Sequence, residues 1–239
     1  MSSMKDAALA GLLLRQGHPP GTWSPAAWHS HEMVHGYAVA VICGLLLTSA
    51  RVWTGRETVY GAKLLAVVAL WLLARVAMLV GEPWKLVAVL DIAFLPVVAF
   101  ALFMPVIASA NWRNLGFPIL LLALALINTL WHLAPHTPVL AAAMPVLAQL
   151  SIDGVVLVIL IVGGRIIPAF TGNAVGRDRV RSSSWFDVAS VIVVGASMLL
   201  NAAFSGHAVS AAIIIFGGTL ILLRQDRWAG SHTLGRPIL

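Results

Sequence analysis

Charged residues are scarce in this chain: Asp, Glu, Lys and Arg make up 10% of its 239 residues, while 60% are hydrophobic. A soluble domain of this size carries about a quarter charged residues. Too few polar groups are present to cover a water-facing surface, and a mean hydropathy of +0.93 makes lipid the expected solvent. Cysteine is almost absent. The lone Cys43 excludes an intrachain disulfide and a cysteine-based metal box, and its place inside an apolar run marks it as a small core residue. No lysine falls within an apolar run, since Lys63 and Lys85 stand at run ends, and this argues against a retinal-type Schiff base. The charge present is mainly positive, 15 Lys and Arg against 9 Asp and Glu. These basic residues lie between apolar runs and form no patch with interleaved aromatics, so no nucleic-acid partner is expected. We find no internal repeat, low-complexity segment or leftover soluble domain.

Long apolar runs are what the chain has. A bilayer core about 30 Å thick needs roughly 20 apolar residues at a rise of about 1.5 Å each. Runs of suitable length with few charges cover residues 33–50, 64–80, 86–108, 115–134, 146–167, 188–204 and 208–223. They predict an all-α fold, a polytopic transmembrane bundle of about seven helices. Residues 1–27 read as an extracytoplasmic or interfacial amino-terminal segment, 28–223 as the bundle and 224–239 as a cytoplasmic tail. The apolar stretch from Ala7 to Leu14 is too short to span. Pro168 is expected to stop or kink the fifth helix.

Positive residues near helix ends are retained in the cytoplasm. One side of the predicted bundle carries Arg51, Arg56, Lys63, Arg113, Arg165, Arg177, Arg179, Arg181, Arg224, Arg227 and Arg236. The other carries only Lys5, Arg15 and Lys85. This asymmetry predicts an amino end outside and a carboxyl end in the cytoplasm. Arg75, within the second run, belongs to neither side.

On that topology the unusual polar residues gather in one leaflet. His29, His31, Glu32 and His35 stand at the outer end of the first helix, His132 and His136 at that of the fourth, and His207 at the start of the seventh. Asp91 and Asp153 lie roughly 7 to 11 Å below the outer ends of the third and fifth helices. Ionisable groups within a membrane are expensive and usually face the bundle interior or a cavity. On a helix, His31 and His35 are i and i+4, a spacing that lets two imidazoles share a metal, and His35 and His132 match best in depth as a haem-ligating pair. His29 and His207 are weaker candidate ligands. Arg75 and Asp91, at matched depth on consecutive helices, read as a structural ion pair. Asp153 reads equally as a proton relay or as support for a histidine, and Glu32 as a supporting acid. Trp23, Trp28, Trp84, Trp131 and Trp185 fall near helix ends, as an interfacial aromatic belt requires. At the cytoplasmic end, Gly163-Gly164 allows close helix approach, and Arg165 can snorkel or pair with a carboxylate such as a haem propionate.

Three stretches together resemble one family. Trp28-His29-Ser30-His31-Glu32-Met33, continuing to Gly44-Leu45-Leu46-Leu47-Thr48 and Trp53-Thr54-Gly55-Arg56, is similar to the signature of the NnrS membrane proteins. Gly163-Gly164-Arg165-Ile166-Ile167-Pro168-Ala169-Phe170-Thr171 resembles a second motif of that family, and Arg113-Asn114 with Asn128 to His132 a third. The resemblance implies a haem- and copper-containing protein of the bacterial inner membrane linked to nitric oxide metabolism and nitrosative stress. It also implies about twelve helices, so the chain is short by one helix before the His-rich motif and by about four at the other end. Ser30 stands where an alanine is usual.

The expected function is therefore that of a haem- or copper-binding membrane protein of the nitric oxide response. His29, His31, His35, His132 and His207 are its candidate metal ligands, and His35, His132 and Arg165 its candidate cofactor contacts. Nitric oxide or a related small molecule is the expected ligand, with the bilayer and a redox or assembly partner as surroundings. The alternative is a proton-coupled permease in which Asp91, Asp153 and Arg75 line a pathway.

Overall fold

The computed structural model describes residues 23–81, 83–176, 180, 184–204 and 208–229. Seven of its helices are long and apolar enough to cross a membrane, and no strand occurs among the described residues. Helix α1 spans Pro25–Thr54, α2 Ala62–Val80 and α3 Trp84–Ala108. Helix α4 spans Gly116–Leu133, with a single 3-10 turn on either side. The short α5 covers Pro138–Ala142 and leads into α6, Met144–Val175. Helices α7, Ser184–Ala203, and α8, Ala208–Asp226, complete the set. Three spans start or end at least four residues beyond the predicted runs, because polar and aromatic residues at their ends continue the helical hydrogen bonding. Pro168 does not stop α6, which continues to Val175; backbone groups freed by a proline can be satisfied locally in membrane helices.

The chain forms two compact units, residues Met1–Ser151 and Ile152–Leu239. In the first, α3 is the hub and packs against α1, α2 and α4. Its buried face includes Leu95, Val98, Ala99 and Leu102, and Leu46 of α1 and Leu121 and Leu124 of α4 are also fully buried. Most of α2 is lipid-facing: Leu65, Leu73 and Leu79 are exposed, as a helix at a bundle edge requires in a lipid solvent. Cys43 is buried, as its apolar run implied. In the second unit α7 and α8 pack on each other.

Local sequence sets the two ends of α1. Ser24 caps its start by accepting from the Ala27 amide at 3.2 Å, and Pro25 occupies the first turn, where its missing N–H costs nothing. Gly55 ends it in the left-handed conformation, φ +64°. Between them, residues Glu32–Ala38 form a π-helical segment. Such segments are rare and recur at functional sites. This one carries Glu32 and His35 and begins directly after His31.

Candidate metal centre

The π segment and the three helices around it build one buried polar cluster in the first unit. From α1, His31 and His35 turn inward and are almost fully buried. Their rings lie 5.0 Å apart. The other side of the segment faces α2. Gly36 accepts a hydrogen bond from Trp71 Nε1 at 2.8 Å, and Glu32 Oε1 accepts from Arg75 Nη1 at 2.6 Å. A glycine is required at 36, since a Cβ there would come within 2.6 Å of Arg75 Nη1 and 3.2 Å of Glu32 Oε2.

Asp91 on α3 is the centre. Its Oδ1 pairs with Arg75 Nη2. Its Oδ2 accepts from Asn128 Nδ2 and from His132 Nε2, each at 2.9 Å, and lies 3.3 Å from His31 Nε2. Asn128 and His132 are four residues apart on α4 and therefore reach Asp91 from one helix face. The amide of Asn128 has a single consistent orientation. With Nδ2 donating to Asp91, its Oδ1 accepts from His31 Nε2 at 2.7 Å; the reverse orientation would set two oxygens against each other. Buried polar groups in a low-dielectric interior need such full pairing.

His35 takes a different partner. Ser151 Oγ donates to the Leu147 carbonyl at 2.8 Å and accepts from Trp131 Nε1 at 3.1 Å. With the hydroxyl proton on the Leu147 carbonyl, His35 Nε2 donates to Ser151 Oγ at 2.9 Å. The lone pair of His35 then sits on Nδ1, which is buried with no hydrogen-bond partner among the described residues. Trp23 and Trp131 close the cluster with ring contacts to His31 at 4.8 and 5.6 Å, and Trp23 also meets His132 at 5.2 Å.

His31, Asp91 and His132 each offer one donor atom within 4.8 Å of the others, and all three are buried. Two imidazoles and a carboxylate suit a divalent or copper ion. The contact of 3.3 Å between His31 Nε2 and Asp91 Oδ2 is about the separation of two ligands on one tetrahedral ion with bonds near 2.0 Å. The ring centroids of His31 and His132, 5.4 Å apart, also suit neighbouring ligands.

His31, Glu32, His35, Arg75, Asp91 and His132 come together in one unit. The Arg75 and Asp91 pair forms as expected, within a larger network that also takes in Glu32 and Asn128. His35 adjoins the three-donor group without being part of it. His29 is exposed on α1, and His136 is exposed and stacked on Trp84 at 3.9 Å. His207 lies outside the described residues. Asp153 and Arg165 lie partly buried in the second unit. Trp131 is a correction: it is buried and bonded to Ser151, so it belongs to the cluster rather than to an interfacial belt. Ser151 and Asn128 carried little signal, because a single hydroxyl or amide in an apolar run is usually a local backbone bond. For Asn128, the i, i+4 relation to His132 was the available clue.

The second unit holds a separate buried pair. Arg224 on α8 donates from Nε to Asp187 Oδ1 at 2.9 Å and from Nη1 to the Leu160 carbonyl at 3.2 Å, and lies 5.1 Å from the Trp228 ring. A Cβ at Gly164 would overlap its guanidinium. In the sequence Arg224 stands out only as one of the positive residues at the cytoplasmic side.

Fold and cluster define a class: a multi-pass helical membrane protein with a histidine and carboxylate group buried in its helix bundle. The family described as NnrS protein matches residues 6–239, nearly the whole chain, and this chain belongs to that family. Membership associates it with the nitric oxide response. No curated protein and no solved structure matches it.

Proposed function

We propose that this protein is a copper-binding membrane protein of the nitric oxide response, seated in the bacterial inner membrane with its metal site toward the extracytoplasmic leaflet. The observation that carries the reading is the buried His31, Asp91 and His132 group in a chain of this family. His31 Nε2, His132 Nε2 and Asp91 Oδ2 would hold the ion, each imidazole then carrying its N–H proton on Nδ1. Bound there, copper supplies a one-electron centre and a coordination position for a diatomic ligand.

The chain's own residues prepare the site. Arg75 holds Asp91 through Oδ1, which leaves Oδ2 directed at the two imidazoles, the usual task of a group that orients a metal ligand. Trp23 and Trp131 cover the donors and exclude water. The lone pair on His35 Nδ1 is a further base beside the group, able to accept a proton from a small ligand. The family resemblance also implies haem, with His35, His132 and Arg165 as its contacts. A porphyrin at the histidines would require Trp23 and His31 to swing away from the rings they pack against, whereas a single ion fits without that movement.

The test is metal analysis of the full chain purified from copper- and haem-replete cells. We expect about one copper per chain in the wild type and a loss of at least tenfold in Asp91→Asn and His132→Ala. Metal-free wild type, or Asp91→Asn with unchanged copper, would overturn the reading. An intense haem band that disappears in His35→Ala would instead favour the haem arrangement.

A further inference from the structure

Arg75 is a partly buried guanidinium that pairs with both acids of the cluster, and His31, a neutral imidazole once it ligates an ion, also lies within 3.4 Å of Glu32 and 3.3 Å of Asp91. Arg75 Nη1 binds Glu32 and its Nη2 binds Asp91, while Asp91 alone of the two acids belongs to the three-donor group. Two carboxylates and one guanidinium leave a net charge of −1 within a few ångströms of that group. This arrangement is built in detail. Gly36 has no Cβ where Arg75 must pass, the Trp71 bond holds the π segment against α2, and Arg75 is held to both carboxylates at once. Orienting Asp91 would need only one of those two ion pairs. The second, to Glu32, fixes the charge.

We propose that Arg75 and Glu32 set the valence preference of the site. One cancelled carboxylate leaves a cluster that a monovalent cation neutralises and a divalent cation leaves at +1, so the reduced ion is favoured. In a low-dielectric interior an uncompensated charge is costly, and the cost falls on the divalent ion. The inference rests on the metal-site reading above. Arg75 and Glu32 set the charge around the ion and touch its ligands Asp91 and His31 without ligating it themselves, so both are positioning residues.

Removing the guanidinium takes the cluster to −2, which a divalent ion neutralises. Removing the Glu32 charge takes it to zero, which disfavours a divalent ion further. The two substitutions therefore move the preference in opposite directions. General disruption of the site would weaken both ions together. A charge about 6 Å from the ion, at an effective dielectric of about 20, changes relative affinity on the order of 10- to 100-fold.

The experiment measures Cu(I) and Zn(II) affinities of the full chain in detergent by chelator competition, for wild type, Arg75→Gln, Arg75→Lys and Glu32→Gln. We expect the Zn(II) to Cu(I) affinity ratio to rise at least tenfold in Arg75→Gln and to fall at least tenfold in Glu32→Gln. In Arg75→Lys, which keeps the charge and loses the planar fork, it should stay within about threefold of wild type. If Arg75→Gln does not fold, the fall in Glu32→Gln alone decides the sign. Unchanged ratios, or shifts of both substitutions in the same direction, with the wild type still binding metal, would overturn this inference and leave the metal site standing. A wild type that binds neither ion would remove both.

Discussion

Each of the two units packs an arginine against a glycine whose Cβ position the guanidinium crowds, and the two arginines do different work. In the second unit Arg224 meets one carboxylate, one backbone carbonyl and an indole face, with Gly164 beneath its guanidinium. Those contacts account for the charge and close the group on itself. In the first unit Arg75 passes Gly36 to meet two carboxylates, and the second of them, Asp91, still presents an oxygen to two histidines. The excess carboxylate makes the first cluster a candidate binding site. Equal charges make the second a clasp between helices.

The comparison breaks most severely if the clasp proves dispensable. Arg224→Leu leaves Asp187 mostly buried without its cation, and loss of one partner of a buried pair costs about 3–5 kcal/mol. Thermal unfolding in detergent should show a large fall, and Arg224→Leu combined with Asp187→Leu should recover much of it. Bound copper per folded molecule should be unchanged in the double variant. A midpoint at the wild-type value in Arg224→Leu would remove the clasp.

A smaller substitution in the first unit should have the opposite profile. Gly36→Ala places a methyl within 2.6 Å of an arginine tip that is held at both ends and cannot simply rotate away. Overpacking of this kind costs about 1–3 kcal/mol. Copper affinity should fall as well, since the same shift disturbs Arg75 and with it Asp91. Gly164→Ala should destabilise the protein without lowering copper affinity; equal losses of affinity in both would erase the distinction between the units.

The mildest expected effect is that of Trp71→Phe. It removes the indole donor to the Gly36 carbonyl and keeps most of the apolar contact, for a cost of about 1 kcal/mol. Its value lies in the π segment. Amide exchange at residues 32–38 should be faster than in the wild type, and an unchanged rate would show that the segment does not depend on this tie to α2.

Much of this was legible in the chain. The seven spans follow from runs of apolar residues, and the gathering of histidines and acids in one leaflet follows from counting along those runs. Arg75 and Asp91 were matched by depth alone, and they do meet. Rotation about each helix axis was not legible. Helix α3 is apolar on all sides, so nothing in its composition says that Asp91 faces α1 and α4. Arg224 was hidden for a related reason: an arginine at a cytoplasmic helix end satisfies the topology rule whether it reaches water or turns inward. Gly163 and Gly164 looked equivalent, yet only Gly164 lies under the guanidinium; a Cβ at Gly163 meets nothing nearer than Ile167 at 3.6 Å.

The chain by itself determined that this is a lipid-embedded bundle, with seven spans among the described residues, because transfer from water to lipid depends on the composition of each span and hardly on its neighbours. Only the tertiary structure decided which imidazoles converge. His31 and Asn128 are 97 positions apart, and Asp91 and His132 are 41 apart. Their meeting depends on how four helices are turned about their own axes. A π-helical segment that no pattern of apolar residues announced carries Glu32 and His35 and sets their turn relative to His31, which precedes it.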